Sequence, residues 1–323
     1  MKYEVEQGGE IDFVDSQGNN SLHLVCCEAY YTPHFIAYLL EFSSNINAQN
    51  NNLQTPLHRF ISNSHKDTAL FRLFLEKGAD PNIPDKCGNT ALHYLARSRA
   101  HKTTYFITFV EILIEFKANL NAQNKYGETP LHVAIRKGTV GFIPILLNHG
   151  ASVFIENKKN LTPIDTAYAK RIDHKVVFME IAKHVIILNN SNVHIKKDIL
   201  DKILCFESLK TFDEECKNEI SNMKDIEVGE TNLTLCTILK SSTRTFAKYL
   251  RNPDVMYSFQ NNICQYSIIF ENRLNKHFEE SLERKEAEEK AFPIYMDIFR
   301  ILPEICVNHV IMYLGNDDLN RIK

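Results

Sequence analysis

The chain has 323 residues, 44% of them hydrophobic, which excludes general disorder and leaves room for two domains. A formal net charge of −3 provides no global attraction to nucleic acid or to a membrane. The first residues, MKYEVEQGGEIDF, hold no apolar run of signal-peptide type, and nowhere do the roughly 18 consecutive apolar residues of a spanning helix occur. Eight scattered cysteines, Cys26, Cys27, Cys87, Cys205, Cys216, Cys236, Cys264 and Cys306, form no C-x-x-C pair. They predict buried, reduced thiols in a protein of the cytosol, the nucleus being the alternative.

A short phrase recurs along the first half. Thr-Pro-Leu-His stands at Thr55–His58 and Thr129–His132, with looser copies at Asn20–His23, Thr90–His93 and Thr162–Asp165. The fourth residues, His23, His58, His93, His132 and Asp165, are 35, 35, 39 and 33 residues apart. Each copy follows a second mark: Gly78–Asn82, Lys117–Asn121 and Gly150–Phe154, with weaker forms at Ser44–Asn47 and Gly9–Phe13. Two marks at fixed separation, at this period, predict stacked helix–turn–helix units. The pattern resembles ankyrin repeats over about Gly8–Lys170. Units then begin near Asp15, Asn50, Asp85, Asn124 and Asn157, with a partial unit before Asp15, and the array is expected to fill residues 1–190.

Each position of the phrase has a physical role. Thr caps the first helix of a unit and Pro occupies its first turn, where no N–H is needed. Leu enters the core. The His side chain can bond backbone across the turn and tie one unit to the next. One His per unit, with no second ligand within a helical turn, argues against a metal site, so no metal or cofactor is expected. Gly78 and Gly150 suit left-handed helix ends, whereas Lys117 and Ser44 predict less ideal ones. The unit from Asp85 is overlong, and the excess at Arg97–Tyr105 predicts an extended loop between its two helices.

Recognition in ankyrin repeats uses the hairpin tips and the inner face of the first helix. Mapped onto this chain, the early units offer Ser16, Gln17, Asn19, Asn51, Asn52, Gln54, Ser62 and Asn63, all neutral and polar. The later ones offer Lys86, Arg97, Lys125, Tyr126, Arg136, Lys137, Lys158 and Lys159. A face grading from neutral to basic suits a target protein with an acidic segment. Nucleic acid is not the expected partner, because only Tyr126 interleaves the charges and no nucleic-acid fold motif accompanies them.

Beyond about Asn189 the repeat marks stop and helical periodicity continues. Val193–Phe212 places Ile195, Ile199, Ile203 and Phe206 on one stripe. A break at Glu227–Asn232 precedes helical stretches at Leu233–Leu239 and Thr245–Leu250, and Asn252-Pro253 reads as a cap followed by a first-turn Pro. In Cys264–Lys290 the alternating charges of SLERKEAEEK predict a solvated helix face. The expected fold is all-α: an ankyrin solenoid, then a helical domain over 191–323 ending in a short helix pair.

The chain closes on Leu302-Pro303, Val310, Tyr313-Leu314 and Asp318-Leu319. Pro303 can open a helix, and Leu302, Cys306, Val310, Tyr313 and Leu314 share one face of it. These marks resemble the start of an F-box, with Ile305 where that family carries an acidic residue. An ankyrin array, a divergent helical region and a short F-box-like segment at 301–323 together resemble the PRANC proteins of poxviruses, intracellular bacteria and parasitoid wasps. Thr234–Phe259 and the run at Glu283–Glu286 share that likeness. The resemblance implies a substrate adaptor of host signalling pathways. The array would hold a target, and Leu302, Pro303, Val310, Tyr313, Leu314, Asp318 and Leu319 would bind the Skp-family linker of a cullin ubiquitin ligase. The alternative is a sequestering ankyrin protein with no ligase link. No phosphate loop, H-E-x-x-H or G-x-S-x-G points to an enzyme.

Overall fold

The computed structural model describes residues 14–27, 33–42, 45–63, 67–98, 104–171, 174–191, 193–228, 231–261 and 269–298. The chain divides into two compact units, Met1–His184 and Val185–Lys323. Among the described residues both are helical and no strand is formed, in agreement with the all-α expectation.

The first unit holds five helix pairs: α1 (Ser21–Cys27) with α2 (Pro33–Phe42), α3 (Pro56–Ser62) with α4 (Thr68–Glu76), α5 (Ala91–Arg97) with α6 (Thr104–Glu115), α7 (Pro130–Lys137) with α8 (Phe142–Asn148), and α9 (Pro163–Ala169) with α10 (Lys175–Asn190). Helix α10 runs across the division between the units. First helices stack on first helices from α1 to α9, and second helices on second helices from α2 to α8. The Leu of the repeated phrase is what the stack buries: Leu22, Leu57, Leu92, Leu131 and its counterpart Ile164 are all sealed from solvent. Phenylalanines join units 2 and 3, with the Phe109 ring 4.2 Å from Phe71 and 6.2 Å from Phe60. Rings of this size dominate the area removed from water, so the middle of the array is its best-anchored part.

Helix ends follow the local chemistry. Gly78 and Gly150 adopt φ of 94° and 89°. Lys117 takes the same left-handed geometry at φ 59° despite its side chain, so the less ideal end is strained rather than rerouted. The excess of the third unit falls between the end of α5 at Arg97 and the start of α6 at Thr104, with residues 99–103 outside those described. The partial unit at Gly9–Phe13 and the helix end at Ser44 also lie outside them.

The second unit contains α11 (Lys197–Ile203), α12 (Glu207–Asn222), α13 (Leu235–Lys240), α14 (Thr243–Tyr249), α15 (Pro253–Gln260) and α16 (Glu271–Ile298). Thr234, Ser242 and Asn252 cap α13, α14 and α15 by accepting the amides of Thr237, Thr245 and Asp254. Helix α16 packs on α13 and α14. Between them Phe246 lies 4.9 Å from both Phe259 and His277, ring centre to ring centre.

Two expectations need correction here. The apolar stripe at Val193–Phe212 is buried at Ile195, Ile199 and Ile203, but only Ile199 and Ile203 lie in a helix. Ile195 precedes α11, and Phe206 caps α12 after a break at Leu204–Phe206. The charged run in α16 is not wholly solvated either. Arg284 and Glu288 are 6% and 4% exposed and bond at 2.7 Å, and Arg251 reaches the second carboxylate oxygen at 2.8 Å. A carboxylate shared by two guanidinium groups fixes where α16 lies against the segment joining α14 and α15.

Candidate protein-binding face

Five hairpin loops build the face, and one residue organises each. The Oδ1 atoms of Asp15, Asn50, Asp85, Asn124 and Asn157 accept the amides two and four residues ahead: Gln17 and Asn19, Asn52 and Gln54, Cys87 and Asn89, Tyr126 and Glu128, Lys159 and Leu161, at 2.8–3.2 Å. Short amide or carboxylate side chains favour this local bonding, and that is why units start with Asn or Asp. The tight loop needs a left-handed residue at its fourth position. Gly18, Gly88 and Gly127 meet that need, whereas Leu53 and Asn160 adopt φ of 54° and 55°. A Cβ on Gly127 would sit 2.8 Å from the Lys158 nitrogen, so here the glycine also makes room for the next loop.

Successive tips are bonded backbone to backbone. The amides of Asn51, Lys86, Lys125 and Lys158 donate to the carbonyls of Gln17, Asn52, Cys87 and Tyr126 at 2.8–2.9 Å. The histidines reinforce this ladder from below. Their Nδ1 atoms accept the amides of Asn20, Thr55, Thr90 and Thr129 at 3.1–3.2 Å. Their Nε2 atoms face the carbonyls of Gln54, Asn89, Glu128 and Leu161 in the following unit at 2.7–3.1 Å. At His58, His93 and His132, accepting at Nδ1 leaves the proton on Nε2, so these rings are neutral donors to the next unit. At His23 the Nδ1 also lies 2.6 Å from the Asn20 side-chain oxygen. Burial pushes all four below the ordinary imidazole value, His58 to about 4. Asp165 caps α9 in the same way through its Oδ2, 3.1 Å from the Thr162 amide, and a carboxylate has no N–H for a sixth loop.

The expected binding residues divide into two groups. Lys86, Lys125, Tyr126, Lys158 and Lys159 lie exposed at the tips, with Tyr126 57% exposed and the Lys125 ammonium 5.0 Å from its ring centre. Arg97, Arg136 and Lys137 are also exposed, in the last turns of α5 and α7. Yet Arg136 holds Glu128 in a two-point ion pair at 3.1 and 2.9 Å, and Arg97 lies over the Tyr94 ring at 5.5 Å. Tyr94 donates to Asp85 at 2.8 Å and accepts from Gln54 at 2.7 Å, and burial pushes its hydroxyl up to about 12. Burial works to raise the Asp85 carboxyl too, but bonds from Asn89, Tyr94 and Cys87 outweigh it and hold it low. The pairing partner Glu128, eight residues from Arg136, and the Tyr94 network escape sequence reasoning, although a tyrosine beside the motif His is their one visible sign.

Of the early positions, Asn19 is buried and bonds Asp15 and Asn50 instead of facing a partner. Asn63 turns back to the Cys26 carbonyl. Ser16, Gln17, Asn51, Asn52 and Ser62 are exposed and neutral. Not all thiols are buried, because Cys87 is half-buried at a tip and Cys205 is exposed. Leu302, Pro303, Val310, Tyr313, Leu314, Asp318 and Leu319 lie outside the described residues.

The sequence profile of ankyrin repeats matches three times, over residues 1–85, 64–157 and 100–177. The chain belongs to the ankyrin-repeat family. An ankyrin repeat protein of fowlpox virus is 28% identical over 326 residues, covering 93% of this chain and 91% of its own. Rabankyrin-5 of mouse is 33% identical over 36% of this chain and 10% of its own length. NF-kappa-B inhibitor alpha of pig is 30% identical over 42% of this chain and 43% of its own. An ankyrin array is a protein–protein interaction module, and the tips and first helices described above are the surface this one presents. Among the described residues no helix is long and apolar enough to cross a membrane.

Proposed function

We propose that the chain is a substrate-recruiting adaptor of a Skp–cullin–F-box ubiquitin ligase in host-cell cytosol. Its array, ending at Asn190, holds a target protein with an acidic segment. Its terminal segment, through Leu302, Pro303, Val310, Tyr313, Leu314, Asp318 and Leu319, docks as a helix in a groove of the Skp-family linker. The adaptor carries out no chemistry, and raises the concentration of target lysines near the ligase. The observation that carries this reading is one chain joining an ankyrin array, a second helical unit and the LPE…YLGNDDL ending. A fowlpox ankyrin repeat protein that aligns with it along nine-tenths of both lengths supports the same organisation.

The test is a pull-down of the full chain from eukaryotic lysate, probed for the Skp-family linker and cullin, beside a Leu302→Asp/Leu314→Asp variant. Capture by the wild type and loss in the variant is expected. Absence of both proteins from the wild-type lane would refute the adaptor reading. The second reading, a sequestering protein whose array alone blocks its partner, would then hold. It is favoured by the 30% identity of the array to a protein that is by name an inhibitor.

A further inference from the structure

We infer that the array's partner segment lies along the loop tips rather than across the inner helices. It is an acidic chain in polyproline II conformation with a carboxylate at every third residue. This rests on the protein-binding reading of the array and specifies what that array takes.

On the inner helices Arg136 is bonded to Glu128 at two points. Arg97 and Lys137, in the last turns of α5 and α7, are the exposed cations there without an ion pair among the described residues, against four at the tips. The tip charges of Lys86, Lys125, Lys158 and Lys159 are exposed, and no ion pair joins them to an acid among the described residues. Their spacing is fixed by the backbone bonds from Lys86 to Asn52, Lys125 to Cys87 and Lys158 to Tyr126. A hairpin is two chains wide, which sets neighbouring tips about 10 Å apart. Polyproline II repeats every three residues, about 9 Å, with i and i+3 on the same side. A β-strand would turn its i and i+3 side chains to opposite faces. An acidic helix would match near i+7, at about 10.5 Å, but helices dock through apolar anchors in a groove. The tips offer one exposed aromatic ring, Tyr126, set between the Lys125 and Lys158 rows. A single ring cannot stack successive bases of a nucleic-acid strand, whereas prolines of a polyproline II segment rest on aromatic surfaces.

The experiment measures fluorescence anisotropy of the full chain with a labelled (Glu-Pro-Ala)4 peptide. A peptide of the same composition with its glutamates in one block, a helical peptide with Glu at every seventh residue, and an oligothymidylate serve as competitors. The periodic peptide is expected to bind at least about tenfold tighter than each competitor and to weaken with added salt. Lys125→Glu with Lys158→Glu should lower its affinity at least about tenfold, and Tyr126→Ala severalfold, while Lys77→Glu changes it little. Circular dichroism establishes that each variant is folded. Equal binding of any competitor, Arg136→Gln weakening it as much as Lys125→Glu, or no binding at all would overturn the inference. Linker capture without peptide binding sinks this inference alone, and peptide binding without linker capture sinks the ligase reading alone.

Discussion

His58 gives the sharpest test of how the array is held together. It is 1% exposed, accepts the Thr55 amide at 3.1 Å and faces the Asn89 carbonyl of the next unit at 3.1 Å. Burial first of all lowers its pKa from 6.5 to about 4. A depressed native pKa means the unfolded chain binds more protons between the two values. The stability is therefore complete above about pH 6.5 and lost as pH falls towards 4. At pH 5 this linkage removes about 2 kcal/mol relative to pH 7 through His58 alone. Replacing it, His58→Leu, leaves the Thr55 amide and Asn89 carbonyl buried without that partner, and costs about 3 kcal/mol at pH 7. Urea unfolding followed by circular dichroism at pH 7 and pH 5, on wild type and variant, measures both numbers. The gap between the two proteins should shrink from about 3 to about 1 kcal/mol as the pH drops. His23, His93 and His132 shift in the same direction but are present in both proteins and cancel. A gap that stays constant across this range would refute the buried neutral-imidazole account.

Backbone geometry yields two further expectations. Lys117→Gly relieves a left-handed residue at φ 59° and should raise stability by about 1 kcal/mol in the same unfolding assay. Gly127→Ala brings a Cβ within 2.8 Å of the Lys158 nitrogen at φ 71°, so it should cost about 2 kcal/mol and increase amide exchange at Lys158. In the second unit Glu288→Gln takes the shared carboxylate charge from Arg251 and Arg284 and should cost about 3 kcal/mol. Because repeat stability is nearly local, melting of the array's aromatic core should hardly move in that last variant.

What the sequence reveals and conceals follows from how far each interaction reaches along the chain. The histidine ladder is legible because its Nδ1 partner lies three residues away and its Nε2 partner one repeat period away. The unit starts are legible for the same reason, since each Asp or Asn organises only the next four residues. The Arg136–Glu128 pair is not, because residues eight apart lie about 12 Å apart along a helix and about 26 Å along a strand, so the pair arises only when α7 folds back over its own hairpin. The Arg284–Glu288 pair shows why charge pattern cannot report burial. It has the same i,i+4 spacing as the Lys285–Glu289 pair beside it, whose carboxylate is 55% exposed. Only the long-range approach of Arg251, 37 residues away, separates them. The break at Leu204–Phe206 is hidden because Ile203, Phe206 and Leu209 keep a three-residue spacing across it.

The loop ladder also constrains how any partner can be read. A hairpin edge usually offers free amides and carbonyls, and a partner strand can add to them. Here the amides of Lys86, Lys125 and Lys158 and the carbonyls of Asn52, Cys87 and Tyr126 are bonded to one another, so each tip uses the next as its strand partner. Recognition at the tips therefore falls to side chains. The side chains that change along the array are charges: neutral at Ser16, Gln17, Asn51 and Asn52, then cationic at Lys86, Lys125, Lys158 and Lys159. In a chain of net charge −3, such a stripe is a local field, strong within about 10 Å and screened beyond. For an acidic partner of the kind proposed, it would leave capture rate more sensitive to salt than lifetime.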